Sequence, residues 1–304
     1  MMLRLSLSIS FLFASFFTVY AQENLIDIET SKDISRLEKK KQRKKRKAKL
    51  PKIDLTNWSV TVPAQRENGK TLVVEPPEIL NYATNQELRP YMYTDSLRGA
   101  IVFYAKPTEA TTPNSKYSRS ELREQMVPGD NNVNWTFEQG AVMKGKLSVD
   151  KVSKDASGEF HRVIIMQIHG RLNDEQRDLI GQKDNNAPPM LKIYWDKGKI
   201  RVKTKYLKSI NTPYKEMLDK DAWGDDEGFN FEQEVGFRKF TLEVRVSKGK
   251  MVVVLNNSEY KVYEGIHMEK WGVFENYFKA GNYFQTRDEG AYAQVSYFDL
   301  TVSH

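Results

Sequence analysis

From Lys52 onward, short runs of apolar and β-branched residues alternate with polar ones at a period of two. No long stretch of helical period separates them. Residues 53–62 read as a strand that Pro63 ends, and 100–105 as a buried strand. Residues 117–125 and 141–150 alternate, and 161–169 have an apolar middle. Residues 191–195 and 199–204 flank Asp196-Lys197-Gly198, and 239–247 and 251–255 flank Lys248-Gly249-Lys250, two hairpin signals. Residues 273–285 and 291–302 complete the set. About a dozen strands at this spacing predict an all-β antiparallel fold of two packed sheets, a jelly roll or sandwich. Residues 171–189 and 208–234 are polar and weakly periodic, and read as long loops over a site.

Residues 1–21 depart from this pattern. A short basic start precedes an apolar run broken by serines, and Val19 and Ala21 are small residues before a cut. The stretch reads as an export signal cleaved after Ala21, which makes the protein secreted, to the periplasm or the exterior. Residues 22–51 read as a polar linker that does not fold by itself. The net charge of +7 resides in residues 1–51, which hold 12 basic and 5 acidic side chains; the remaining 35 of each sign cancel. Its source is the run at 39–49, either a solvated spacer or a means of holding a polyanion. The folded part, 52–304, is therefore not a basic domain of the nucleic-acid type. The chain has no cysteine, which excludes disulfides, thiolate metal sites and a cysteine nucleophile.

Three predicted strands carry polar side chains on one face. Arg119, Glu121 and Arg123 share a face with Leu122 turned inward. Gln167 and His169 share a face, continuing from Val163 and Ile165. Tyr277, Lys279, Tyr283 and Gln285 share a face, with Gly281 leaving a gap, while Phe278, Ala280, Asn282 and Phe284 form the apolar back. Side by side in one sheet, these residues would line a cationic, amide-bearing and phenolic groove suited to a polymer bearing carboxylates. There is no pair of acids of the kind glycosidases use, and no GxSxG, P-loop, EF-hand or HExxH motif. The chemistry these residue types permit is β-elimination from a 4-linked polyuronate. Arginine and amide donors neutralise the carboxylate as the C5 proton leaves, a base takes that proton, and an acid protonates O4.

RSELR at 119–123, QIH at 167–169 and YFKAGNYFQ at 277–285 resemble, in order, the three signature strands of the alginate lyases of polysaccharide lyase family seven. IDLTNW at 53–58 is similar to that family's opening strand, so the resemblance covers residue 53 to the end. It implies a jelly-roll β-sandwich with an open cleft on the concave sheet, acting as a monomer on alginate without a metal or other cofactor. It implies that Arg119 and Gln167 neutralise the substrate carboxylate, that His169 assists or serves as base, and that Tyr283 is the acid or both acid and base. Arg123, Tyr277, Lys279 and Gln285 would line subsites, and Glu121 would orient the arginines. Isoleucine at 168 is associated in that family with guluronate-containing blocks, and endolytic action is expected. The competing readings are a non-catalytic polyuronate-binding sandwich, a lyase for another polyuronate such as glucuronan, and a nucleic-acid binder using the run at 39–49, which the neutral body disfavours.

Overall fold

The period-two pattern resolves into strands wherever an apolar face has a partner sheet to bury it. The computed structural model describes residues 51–112 and 115–304; the expected export signal, and the expected linker apart from Pro51, lie outside the described residues. In chain order the strands are β1 (Trp58–Gln65), β2 (Thr71–Val74), β3 (Met92–Asp95), β4 (Ala100–Ala105), β5 (Arg119–Glu124), β6 (Trp135–Thr136), β7 (Ala141–Val152), β8 (Val163–Arg171), β9 (Leu191–Asp196), β10 (Lys199–Leu207), β11 (Trp223–Asp225), β12 (Phe229–Glu234), β13 (Phe240–Ser247), β14 (Lys250–Leu255), β15 (Glu259–Glu264), β16 (Glu275–Phe284) and β17 (Ala293–Ser303).

They form two antiparallel sheets. One runs β11-β10-β9-β8-β16-β5-β1-β2, with β12 beside β10 and β6 beside β16; the other runs β15-β14-β13-β7-β17-β4-β3. Leu122, Ile168, Trp195 and Phe278 from the first sheet and Phe103, Met143, Val244 and Tyr297 from the second join one buried core. Burial of this apolar surface drives the packing of the two faces. The connections are long-range: β16 sits between β8 and β5, more than a hundred residues upstream.

Three expectations are corrected. Pro63 does not end the first strand, because β1 continues to Gln65. Pairing of β1 with β5 stops at Thr61, and its register with β2 breaks between Thr61 and Gln65, so the missing proline N–H falls at an irregularity. The stretches at 171–189 and 208–234 are not structureless. The first carries helix α1 (Asp174–Ile180), whose Asn173 and Gln176 satisfy each other's backbone N–H in a capping box. The second carries helix α2 (Tyr214–Met217) as well as β11 and β12. The Gln176 amide donates to the Tyr214 hydroxyl and to the Val273 carbonyl, tying both helices to the approach to β16. Finally, β15 escaped the strand pattern. Asn256 and Asn257, both at positive φ, form the tight turn that leads into it.

Candidate active site

The three strands with polar faces are neighbours, with β16 between β8 and β5. Lys279 pairs with Arg123 on one side and Gln167 on the other; Tyr277 pairs with His169, Gly281 with Glu121, and Tyr283 with Arg119. The alternation assigned to β8 from sequence fails at one point. Met166 opposes Ile193 while Ile164 opposes Tyr194, so β8 holds an extra residue at Ile165. This bulge reverses the alternation: Val163 and Ile165 enter the core, and Ile164 joins Tyr194 and Tyr283 in cross-strand register. Against β16 the extra residue lies on the other strand, with Gly281 and Asn282 across from Ile165, so Ile164 meets Tyr283 at one end of β8 while Gln167 and His169 meet Lys279 and Tyr277 at the other.

Glu121 is the hub of the site. Its carboxylate is fully buried and accepts from Arg119 at 3.1 Å, Lys279 at 2.6 Å and Gln167 at 2.5 Å. Its burial beneath Arg119, Lys279 and Gln167 keeps it off the exposed surface of the sheet. Two cations around one carboxylate leave a net positive charge that a single incoming carboxylate would neutralise. Burial, with the Arg119 charge next, brings the Lys279 ammonium down to about 8, although Glu121 opposes the shift. Arg119 also donates to the Ser115 hydroxyl and stacks on the Tyr283 ring, 3.9 Å from its centroid.

His169 Nδ1 lies 2.9 Å from the Gly170 carbonyl. A proton on Nδ1 satisfies that contact and leaves the Nε2 lone pair free. Burial first, and the nearby Lys279 charge second, hold its pKa down to about 3, so the ring is neutral at ordinary pH. The ring stacks on Tyr277 at 5.3 Å, and Arg123 lies over the other partner of the stack, 4.1 Å from the Tyr277 centroid. Burial raises the Tyr277 phenol. Arg123 is anchored by the Asn131 carbonyl and the Asn134 side chain. Gln285 falls one residue beyond β16, and its amide donates to the Tyr283 carbonyl at 3.1 Å.

The profile of the alginate lyase family matches residues 53–304, nearly the whole described part of the chain. The chain belongs to the alginate lyase family. This family member is 27% identical over 289 residues to an alginate lyase of Klebsiella pneumoniae, with 83% of this chain and 90% of that protein covered. It is also similar to the solved structure of alginate lyase A1-II′, a member of polysaccharide lyase family-7, at 29% identity and a TM-score of 0.65, with 83% and 96% of the two chains covered. A variant of that enzyme, with a histidine replaced by asparagine and a tyrosine by phenylalanine, was solved in complex with substrate (GGMG). It matches at 28% identity and a TM-score of 0.64, covering 83% and 94%. The two packed antiparallel sheets are the jelly-roll β-sandwich of these lyases.

Several residues of this lyase's outer face were not singled out from sequence. Lys192 pairs with Gln167, and Tyr194 with Ile164. Their own strand signalled them, since Lys192 and Tyr194 alternate with the apolar Leu191, Ile193 and Trp195. Burial raises the Tyr194 phenol to about 12. Tyr117 contacts Tyr283, ring to ring, at 6.4 Å; it opens the alternation read at 117–125, two residues before β5, on the same period as Arg119, Glu121 and Arg123.

Proposed function

We propose that this chain cleaves alginate by β-elimination, endolytically and with a preference for guluronate-containing blocks. Arg119 and Gln167 meet the substrate carboxylate above Glu121 and stabilise the enolate that forms when C5 loses its proton. His169 Nε2 takes that proton. The Tyr283 hydroxyl gives its proton to O4 as the C4–O4 bond breaks. The products are one chain with an unsaturated uronate at its new non-reducing end and one with an ordinary reducing end.

The observation that carries this reading is the placement of His169 and Tyr283 on either side of the Gln167–Lys279 pair. His169 lies across from Tyr277, two residues before Lys279, and Tyr283 lies four residues after it, with Gly281 leaving space between. In guluronate H5 and O4 are on opposite faces of the sugar, so a base and an acid on opposite sides of the track suit it. In mannuronate both lie on one face, where Tyr283 would have to serve twice. The neutral state of His169 supports its use as a base without prior deprotonation. The relative trapped with substrate after loss of a histidine and a tyrosine supports the choice of these two residue types.

Ile168 bears on preference only indirectly. Its side chain is buried in the core, on a strand position between Phe278 and Leu191, so it acts through the seating of Gln167 and His169. Endolytic action is supported by strands that continue on both sides of β16, with β9 and β10 beyond β8 and β1 beyond β5. Such a face holds the middle of a polymer. The apolar run of residues 1–21, read as an export signal, supports secretion.

The test is the ultraviolet absorbance of unsaturated uronate over time, with polyguluronate and polymannuronate supplied separately. A faster rise on polyguluronate is expected. A rise on polymannuronate alone reverses the preference, and binding of either polymer without any rise makes the chain a polyuronate-binding module.

A further inference from the structure

The polar face of the site does not stop at Gln167. Arg123 pairs with Lys279, Lys279 with Gln167, Gln167 with Lys192, and Lys192 with Lys203, one residue from each of five consecutive strands. Because paired residues in a sheet point to the same side, all five face outward together. Four of the five are cations.

The two at the far end differ from the others in one respect. Arg123 and Lys279 are engaged by protein acceptors, whereas the side chains of Lys192 and Lys203 make no hydrogen bond or ion pair among the described residues. Asp225, whose charge reaches both Lys192 and Lys203, is held by Lys205 at 2.8 Å. Lys192 is also partly buried beside Lys203 and Lys205, so burial and like charges both press on its ammonium. A partly buried, unpartnered cation in register with a substrate-binding amide is unfavourable unless an anion arrives. Neighbouring strands stand about 4.8 Å apart, close to the advance of one 4-linked pyranose, so successive strands meet successive sugars.

We propose that Lys192 and Lys203 bind the carboxylates of the two uronate residues next along the polymer from the reacting one, and so set the length of substrate the enzyme recognises. This rests on the polyuronate reading above. The lysines touch sugars that do not react, so they supply affinity and register rather than chemistry.

The experiment uses guluronate oligomers of two to six residues. Turnover is followed by ultraviolet absorbance, and binding by calorimetry in the Tyr283→Phe background. Lys192→Met and Lys203→Met keep the apolar stem and delete the charge. The wild type should gain affinity with length and then level off. Lys203→Met should remove the last increment and Lys192→Met the last two, each lost increment raising KM roughly tenfold at low salt with kcat retained, while the shortest oligomers are unaffected. Lys192→Arg should restore the lost increment, and the variants should move the bond that is cut within a hexamer. A loss of equal size at every length, or no loss at any, overturns the proposal. If the wild type forms no unsaturated product, the lyase reading fails, and the length dependence of binding still decides the role of these two lysines.

Discussion

The hydroxyl of Tyr297, on the seven-stranded sheet, reaches across the sandwich and donates to the carbonyl of Ile165 at the bulge of β8. The same hydroxyl accepts from the Gly281 N–H at 3.3 Å. One core phenol thus holds both the bulge that realigns β8 and the glycine that leaves the gap in β16. Burial raises this phenol far above its ordinary value, so it stays protonated and able to donate. Tyr297→Phe leaves the Ile165 carbonyl without this donor. We expect a loss of about 1–3 kcal/mol in denaturant unfolding. We also expect kcat to fall further than the stability loss accounts for, since the register of Tyr283 against β8 depends on that bulge.

Gly281 has a positive φ of 143°, and a Cβ added there would lie 2.6 Å from the Ser120 carbonyl oxygen and 2.8 Å from Glu121 Cα. Both obstacles are backbone and cannot rotate away. Gly281→Ala should cost about 3 kcal/mol. It should displace Glu121 from its three donors, so the residual folded protein should be almost inactive. Full activity in that variant would show that the close approach of β16 to β5 is not required.

Lys279 should set the pH dependence of the free enzyme on the alkaline side. Its ammonium is charged below about 8 instead of up to its ordinary value, so the site's net positive charge fades as pH rises through about 8. The ratio kcat/KM should fall over that interval. Lys279→Arg, charged throughout, should move the fall to higher pH, which a pH–rate profile reads directly.

His169 contributes in the opposite direction, and through stability. An unfolded chain takes up a proton there near the ordinary value of 6.5, but the folded chain does not until about 3. Stability on this account is fully present above about 6.5 and is lost as pH falls toward 3. His169→Gln should flatten that part of the stability profile. His169→Ala should abolish cleavage of polyguluronate; retained turnover would remove the residue from the role of base.

Ile168→Val should cost about 1 kcal/mol, the usual effect of deleting one buried methyl group. Any change in the ratio of guluronate to mannuronate cleavage must come through a shift of Gln167 and His169, since the side chain itself faces the core. A changed ratio together with unaltered binding of short oligomers would fit that indirect route.

Whatever depends on neighbours along the chain could be read before any folding. The period of two marked most strands, the apolar backs of Leu122, Phe278 and Phe284 marked the core, and the resemblance of three short stretches pointed to the family that the match over residues 53–304 shows. A helix such as α1 was written in its capping residues, Asn173 and Gln176, though its polar, weakly periodic surroundings hid it. The rest depends on pairing between strands far apart in sequence, which no local pattern records. It made β16 the neighbour of both β5 and β8, placed Glu121 under three donors, excused Pro63 from the ladder and extended the row of cations to Lys192 and Lys203. The bulge at Ile165 shows the reason most directly. Alternation is a property of a single strand, but an extra residue is visible only against a partner, and it reverses every side chain beyond it.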